Sequence, residues 1–325
     1  MTDISVIGGG AWGTALAASI ARKGQSATLW ARDTSVIEDI RQQNQNIKFL
    51  EGIPLPAGIQ PTADPADMAG ADILLVVIPA QAIRSILEKF REIIKPTATL
   101  VLCAKGIEST TGKRVSEITR EVMPNNPIAV LSGPSFADDV ARGLPTAVTL
   151  AAPSLEVAAR LAEAISSPAL RLYASNDIIG VELGGALKNI IALAIGIARA
   201  KKLGASAEAA LTTRGFAELA RIAQYFGAQP ETLMGLSCLG DLMLTCSSPQ
   251  SRNFAYGMAM GAGDDLSSMK LAEGVYTTGI AAQLCRDANI DAPIIDAIDS
   301  VLSQKMDITE AMTQLLSRPL KVETI

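Results

Sequence analysis

Short apolar runs alternate with stretches of helical character through the first half of the chain. The apolar runs cover residues 4–7, 27–31, 73–78, 99–103, 128–131 and 147–150. Helix-like stretches such as 80–94 and 113–122 separate most of them. A run that is apolar throughout, such as 73–78, is typical of a strand covered on both faces, as in a parallel sheet. The alternation therefore predicts a doubly wound α/β domain.

Beyond about Ser175 the pattern changes from strands to helices. One apolar stripe recurs at helical spacing, through Leu211, Gly215, Leu219, Ile222 and Phe226. Gly227 follows this stripe and is a typical helix end. Two further helical stretches cover 278–288 and 294–304, the second directly after Pro293. The second half is predicted to be mostly α-helical.

The stretch 183–198 is apolar apart from Lys188 and Asn189. It is shorter than a membrane span and rich in glycine and alanine. We interpret it as a helix buried in a soluble core and expect no membrane insertion.

The first apolar run leads into the turn Gly8-Gly9-Gly10-Ala11-Trp12-Gly13, and a helix-like stretch 14–22 follows. In the G-x-G-x-x-G pattern the first glycine allows a tight turn, the second lets the backbone approach a pyrophosphate, and the third lets the helix pack on the strand. The helix N-terminus would point its N–H groups at the same place. Since strand, helix and second strand are all present, a dinucleotide site is favoured over a glycine-rich turn without a ligand.

Together these patterns predict two domains. The first, residues 1–175, is an α/β Rossmann-type doubly wound domain that binds the dinucleotide. The second, residues 176–325, is an all-α C-terminal domain that contributes substrate-binding and catalytic residues. The join near 173–176 is abrupt, which predicts that the two halves pack tightly.

Composition narrows the class of protein. The chain has 325 residues, 49% of them hydrophobic, and a net charge of −5, which argues against a general nucleic-acid binder. A phosphorylated metabolite can still bind where a few cations converge. The four cysteines form no C-x-x-C pair, so we expect no metal site and buried, reduced thiols. No signal peptide is visible, and we expect a cytoplasmic location.

The chain contains no histidine, which excludes the commonest general base. Lys188 is the best candidate for proton transfer, because burial of its ammonium group would lower its pKa toward neutrality. The alternative is a lysine paired with a buried carboxylate for structure alone. Asn189 beside it could bind substrate or backbone.

Further candidates lie in loops. Lys105, Gly133 and Ser135 follow strand-like runs, and open α/β sheets bind ligands at that end of their strands. The stretch Ser251-Arg252-Asn253 opens a helix, and a helix N-terminus with an added arginine suits a phosphate. Asp241 could hold Lys188 or a substrate hydroxyl. The alternative for each of these residues is that it only forms a turn or caps a helix.

The end of the second strand bears on the choice between NAD and NADP. An acidic residue there would bind the ribose hydroxyls of NAD, whereas arginine would favour the extra phosphate of NADP. Here Arg32 comes first and Asp33 follows. We therefore expect NADP or NAD, with NADP preferred.

Seven segments in this order resemble the bacterial NAD(P)-dependent sn-glycerol-3-phosphate dehydrogenases. They are Gly8-Gly9-Gly10-Ala11-Trp12-Gly13-Thr14-Ala15-Leu16-Ala17, Ala104-Lys105-Gly106-Ile107, Ser132-Gly133-Pro134-Ser135-Phe136-Ala137, Val181-Glu182-Leu183-Gly184-Gly185-Ala186-Leu187-Lys188-Asn189, Leu239-Gly240-Asp241-Leu242, Ser251-Arg252-Asn253 and Ala272-Glu273-Gly274. They span nearly the whole chain.

The resemblance implies the roles of individual residues. Lys188 is similar to the family's proton acceptor. The implied substrate contacts are Lys105, Gly133, Ser135, Lys188, Asp241, Ser251, Arg252 and Asn253. The implied dinucleotide contacts are Ala11, Trp12, Arg32, Lys105, Ala137, Arg252, Leu271 and Glu273, in addition to Gly8, Gly10 and Gly13 of the glycine turn.

The implied reaction interconverts dihydroxyacetone phosphate and sn-glycerol 3-phosphate for phospholipid synthesis. Family members are cytoplasmic and many are dimers, so a homodimer is expected. Two alternatives stay open from the residues alone. One is a β-hydroxyacid dehydrogenase, which shares the two-domain plan and a helix-borne lysine. The other is a regulator that senses NADP without catalysis, although it would need no buried lysine.

Overall fold

The computed structural model describes residues 2–269 and 272–319. Within them eight strands form one sheet, in the order β3-β2-β1-β4-β5-β6-β7-β8. The strands are β1 (Ile4–Ile7), β2 (Ala27–Trp30), β3 (Ile59–Thr62), β4 (Ile73–Val76), β5 (Thr99–Leu102), β6 (Ile128–Ser132), β7 (Thr146–Ala151) and β8 (Leu170–Ser175). Strands β1 to β6 pair in parallel, as a doubly wound sheet requires.

Helices cover both faces of this sheet and follow its strands in sequence. They are α1 (Ala11–Arg22), α2 (Thr34–Gln43), α3 (Ile83–Phe90), α4 (Val115–Val122), α5 (Ala137–Arg142) and α6 (Leu155–Ile165). Two hydrophobic clusters, one on each side, fill the space between helices and sheet. The predicted Rossmann-type N-terminal domain is confirmed.

The sheet differs from the prediction at its edges. Strands β3 and β8 are not among the predicted apolar runs. Strand β3 reads Ile59-Gln60-Pro61-Thr62, and the proline and glutamine are tolerated because it is an edge strand. Strand β8 is the other edge and is largely exposed. The apolar runs indicated parallel pairing, and the sheet departs from it at one place, since β6 and β7 pair antiparallel.

Several helices have other bounds than expected. The stretch predicted at 278–288 is a helix over Glu273–Asp287, and the stretch predicted at 294–304 is a helix over Pro293–Leu302. The helix after the glycine turn begins at Ala11, three residues earlier than predicted, so its first turn belongs to the glycine motif itself. The predicted helix 80–94 is shorter: a 3-10 turn, Ala80–Ala82, precedes α3, which ends at Phe90.

The described residues beyond β8 are mostly helical, as predicted. Their elements are α7 (Ile178–Ala200), α8 (Ala205–Tyr225), α9 (Pro230–Leu233), a π-helical turn (Leu236–Gly240), α10 (Asp241–Ser247), α11 (Arg252–Ala262), α12 (Glu273–Asp287), α13 (Pro293–Leu302) and α14 (Ile308–Leu316). In the stripe of α8, Gly215, Leu219 and Ile222 are buried. Gly227 follows the helix with φ 97°, a left-handed conformation that favours glycine.

Helix α7 is the centre of the helical domain. It is long and apolar enough to cross a membrane, but 94% of its most apolar window is buried inside the protein. The helices around it bury its whole circumference, and a helix that is apolar all round belongs in a core. All four cysteines are buried and free of disulfides.

Helices α7 and α11 cross in close contact at glycine positions on both helices. A Cβ added at Gly257 would lie 2.2 Å from the carbonyl oxygen of Leu193. One added at Gly196 would lie 2.3 Å from the carbonyl oxygen of Phe254. Both distances are too short for real atoms, so the helices approach this closely only because glycine stands at both positions. The crossing fixes the start of α11, where Arg252 lies, relative to Lys188 on α7.

We predict that Gly257→Ala destabilises the protein, because the backbones must separate to admit the methyl group. Overpacking of this kind costs about 1–3 kcal/mol or more. Denaturant unfolding of the variant and the wild type measures the difference. Gly279→Ala on α12 is the matched control, since its added Cβ makes only an ordinary contact at 3.6 Å. Alanine has the higher helix propensity, so the control should be neutral or slightly stabilised. Equal stability of the two variants would contradict the close crossing.

Candidate active site

A cleft of about 840 Å³ opens at the C-terminal ends of β1, β4 and β5, where the sheet faces the helical domain. Nearly all the predicted site residues line it. Those are Gly8, Gly10, Ala11, Trp12, Gly13, Arg32, Lys105, Ser135, Ala137, Lys188, Asp241, Ser251, Arg252, Asn253 and Glu273. Residues from both halves of the chain therefore meet in one place.

Two predicted residues are not among those that line the cleft. Gly133 lies beside the cleft rather than in its wall, packed against Val148 of β7 with φ 154°. Its carbonyl oxygen accepts hydrogen bonds from Lys105 Nζ at 3.0 Å and from Ser135 Oγ at 3.1 Å, so Gly133 supports the site through other side chains. Leu271 lies outside the described residues.

The glycine turn has the shape that a dinucleotide needs. A Cβ at Gly8 would lie 2.1 Å from the Val77 carbonyl oxygen, and one at Gly13 would lie 1.8 Å from the Gly8 carbonyl oxygen. A Cβ at Gly10 would meet no described residue within 4 Å, so that position faces open space in the described part of the chain. Gly10 is also the N-cap of α1 and no side chain caps the helix there. The first N–H groups of α1 thus remain available to an anion.

Lys188 lies in the middle of α7 and is only 5% exposed. Its ammonium group donates to Asp241 Oδ1 at 2.8 Å and to the hydroxyl of Thr245. The pKa of Lys188 is lowered to about 8, chiefly by burial; the Asp241 carboxylate opposes this shift, and the positive charge of Lys105 adds to it. An ammonium group has three N–H donors, and these two contacts leave one for a ligand in the cleft.

Asp241 is bound by two lysines. Its Oδ1 accepts from Lys188, and its Oδ2 accepts from Lys105 Nζ at 2.7 Å. The carboxylate is 2% exposed. Burial alone would raise its pKa, but the two ammonium groups outweigh burial and hold the pKa of Asp241 below its ordinary value. Asp241 therefore stays ionised and keeps both lysines in place.

A chain of buried amides begins at Asn189, the residue next to Lys188 on α7. Asn189 Nδ2 donates to the Lys105 carbonyl oxygen at 3.2 Å, and Asn253 Nδ2 donates to Asn189 Oδ1 at 2.9 Å. Asn253 Oδ1 then accepts from the Gly274 N–H at 2.8 Å. This chain joins the loop after β5 to α7, α11 and α12. The predicted site residue Asn253 thus has both the nitrogen and the oxygen of its side-chain amide engaged within the protein.

The start of α11 presents a different kind of site. Ser251 is its N-cap, and Ser251 Oγ accepts from the Phe254 N–H at 3.3 Å. Arg252, the first helical residue, is exposed and lines the cleft. Free N–H groups at a helix start beside a guanidinium group form an arrangement that suits a phosphate.

Glu273 begins α12 and faces the same cleft. Burial raises the pKa of its carboxyl group, and the positive charge of Arg252 and a hydrogen bond from the Ala80 backbone oppose the rise. Its Oε2 is buried and has no hydrogen-bond partner among the described residues. A buried oxygen without a partner is costly, so this position is suited to an N–H donor from a ligand.

Comparison with known proteins decides the family. The family model described as NAD-dependent glycerol-3-phosphate dehydrogenase N-terminus matches residues 3–158, and the corresponding C-terminus model matches residues 177–313. The chain belongs to the NAD-dependent glycerol-3-phosphate dehydrogenase family.

Individual relatives agree with this family. A protein named glycerol-3-phosphate dehydrogenase [NAD(P)+] from Brucella canis is 56% identical over 323 residues, with 99% of each chain covered. One of the same name from Chelativorans sp. is 52% identical, with 98% of each covered. The crystal structure of glycerol-3-phosphate dehydrogenase from Coxiella burnetii superposes with a TM-score of 0.91 at 35% identity, covering 98% of this chain and 99% of that one. The resemblance drawn from the sequence motifs is confirmed.

Three residues that contribute to the site of this glycerol-3-phosphate dehydrogenase family member were not predicted from the sequence. Thr245 contacts Lys188 and lies one helical turn after Asp241, so the i, i+4 spacing on α10 could have revealed it. Asn46 donates to the Gly9 carbonyl oxygen at 3.0 Å and braces the glycine turn. Lys48 lines the cleft beside Asp33. The last two lie in a segment without regular structure, where no sequence pattern pointed to them.

Proposed function

We propose that this protein catalyses the reversible NAD(P)H-dependent reduction of dihydroxyacetone phosphate to sn-glycerol 3-phosphate, which supplies the backbone of glycerophospholipids. The observation that carries the proposal is the ammonium group of Lys188, which is buried in the wall of the glycine-turn cleft and held by Asp241. The family membership favours this phosphorylated substrate over a β-hydroxyacid, and the buried lysine argues against a regulator without catalysis.

The residues of the cleft fit a nicotinamide dinucleotide. The open space at Gly10 and the uncapped start of α1 would receive the pyrophosphate, with Gly8 and Gly13 shaping the turn. Ala11, Trp12, Arg32, Lys105, Ala137, Arg252 and Glu273 would complete the binding surface. The unpartnered Oε2 of Glu273 would accept a hydrogen bond from the bound molecule. A nicotinamide held there would supply the chemistry of hydride transfer to and from the middle carbon of the substrate.

Lys188 is the proton donor and acceptor of this reaction. In the reduction, its protonated form donates to the substrate's carbonyl oxygen as negative charge grows there. In the oxidation, its neutral form takes the proton of the hydroxyl group. A pKa of about 8 keeps both forms populated near neutral pH. Asp241 and Thr245 fix the direction of the ammonium group, so the remaining N–H is aimed before the substrate arrives.

The start of α11 binds the phosphate of the substrate. Arg252 supplies charge, and Ser251 and Asn253 hold the helix start in place. Lys105 and Ser135 approach from the sheet side, with Gly133 behind them. Binding the phosphate far from the reacting carbon orients that carbon toward Lys188.

We further propose a division into two domains, a cofactor preference, a cellular location and an oligomeric state. Residues 1–175 form the dinucleotide-binding domain and residues 176–325 the helical substrate and catalytic domain, and the gap between the two family matches, 158 to 177, supports a division there. NADP is preferred over NAD because Arg32 lines the cleft at the end of β2. The enzyme is cytoplasmic and homodimeric, as the family resemblance implies.

We predict that Lys188→Ala loses most of its kcat, by roughly 10²- to 10⁴-fold, because the positioned acid and base is removed. NADPH oxidation with dihydroxyacetone phosphate measures turnover, and NADPH fluorescence titration checks that the cofactor still binds with its usual affinity. Lys188→Met serves as the matched variant, since it restores side-chain volume without the amine. Near-normal turnover in either variant would refute the role of Lys188.

We predict that Arg252→Ala chiefly raises KM for dihydroxyacetone phosphate, by about 10- to 100-fold, since a charge-assisted hydrogen bond is worth about 1.5–3 kcal/mol. Steady-state kinetics at saturating NADPH separates KM from kcat. Arg214→Ala is the control, because Arg214 is an exposed arginine of α8 away from the cleft. An unchanged KM in Arg252→Ala would count against a phosphate site at α11.

A further inference from the structure

Three charged side chains lie together where β2 ends at the outer part of the cleft. Arg32 and Asp33 follow the strand directly, and Lys48 reaches the same place from the loop after α2. All three line the cleft, as does Phe49 next to Lys48. In a Rossmann-type domain this is the position that faces the ribose of the adenosine half of a dinucleotide.

The carboxylate of Asp33 is already engaged on both oxygens. Its Oδ1 accepts from the Ser35 N–H at 3.0 Å and from Ser35 Oγ at 2.8 Å, which caps α2. Its Oδ2 accepts from Lys48 Nζ at 2.6 Å. These bonds, that from Lys48 foremost, lower the pKa of Asp33 to about 2. An aspartate held in this way is poorly placed to bind a pair of ribose hydroxyls, which is how an acidic residue favours NAD.

Lys48 also makes the local charge positive, since Arg32 and Asp33 alone would balance each other. Asp33 alone would place one negative charge at this end of the cleft and repel a phosphate. With Lys48 and Arg32 the three groups together carry one positive charge. Arg32 is exposed and makes no ion pair within the described residues, so its guanidinium group is free to bind an anion. The Lys48 ammonium group lies 5.6 Å from the centre of the Phe49 ring and is half exposed toward solvent.

We propose that Lys48 is a specificity-determining residue that neutralises Asp33 and, together with Arg32, binds the 2′-phosphate of NADP. The proposal rests on the dinucleotide site of the proposed function and names the side chain that sets its preference. Arg32 supplies a planar donor pair and Lys48 a point charge on the other side of the phosphate. Without Lys48, Asp33 would present an unpaired negative charge to that phosphate.

Binding measurements on three variants test this assignment. We expect Lys48→Met to raise the Kd for NADPH about tenfold or more while the Kd for NADH stays equal or falls, because one cation is lost and Asp33 is released. Adenosine 2′,5′-bisphosphate should lose affinity by the same factor, and adenosine 5′-monophosphate should not. Arg32→Ala should lower the NADPH preference in the same sense. Fluorescence titration and calorimetry measure these values without turnover.

Lys95→Met is the matched control. Lys95 forms an equivalent surface pair with Asp72 at 2.7 Å, with similar exposure, outside the cleft. The ratio of its Kd for NADPH to its Kd for NADH should equal that of the wild type. If the Lys48→Met variant has the same ratio of the two Kd values as the control, the assignment of Lys48 is overturned.

The two proposals can fail separately. Turnover of dihydroxyacetone phosphate by the wild type tests the reaction whatever the preference for a cofactor. A wild type that turns over this substrate and binds NADH as tightly as NADPH would refute the 2′-phosphate site alone. If the wild type shows no turnover but binds adenosine 2′,5′-bisphosphate with an affinity that depends on Lys48, the proposed reaction is refuted. The 2′-phosphate site is then still supported.

Discussion

The carboxylate of Asp241 holds two ammonium groups inside the protein, and the candidate active site depends on this arrangement. A buried charge without a partner costs several kcal/mol, and breaking a buried ion pair by removing one member typically costs about 3–5 kcal/mol. Here two positive charges share one negative charge, so one excess positive charge remains in the cleft wall. That excess favours an anionic substrate and helps Lys188 to release its proton near neutral pH, because burial and Lys105 both lower its pKa.

The fold brings these three residues together from distant parts of the chain. Lys105 lies in the loop after β5, Lys188 on the central helix α7, and Asp241 at the first turn of α10. The sheet and the helical domain are therefore linked through the site itself. The amide chain of Asn189 and Asn253 adds a second link. An active site built at such a junction is complete only when both halves are correctly packed, which gives the glycine crossing of α7 and α11 a functional consequence.

Much of the fold and most of the site residues could be predicted from the sequence, because the patterns that indicate them lie within short stretches of the chain. The glycine turn between strand and helix, the lone lysine in an apolar helix and the serine at a helix start each carry their own physical reason. Edge strands β3 and β8 escaped prediction because a strand with one open side need not be apolar. The antiparallel pairing of β6 and β7 depends on how the chain returns to the sheet, which no run of residues specifies. Asn46 and Lys48 act through contacts across space, so only the folded chain reveals them. Thr245 differs, because its spacing of four residues from Asp241 on α10 was a local signal already present in the sequence.

The most direct test of this account is the titration of the Lys188 amine itself. Lysine-labelled protein can be followed by nuclear magnetic resonance against pH, with the Lys188 signal assigned by its loss in a Lys188→Met sample. The account predicts a midpoint near pH 8, and a lower midpoint in Asp241→Asn, where the carboxylate that favours the charged form is gone. A midpoint at the ordinary lysine value near 10.5 would show an amine in water and contradict the buried proton donor.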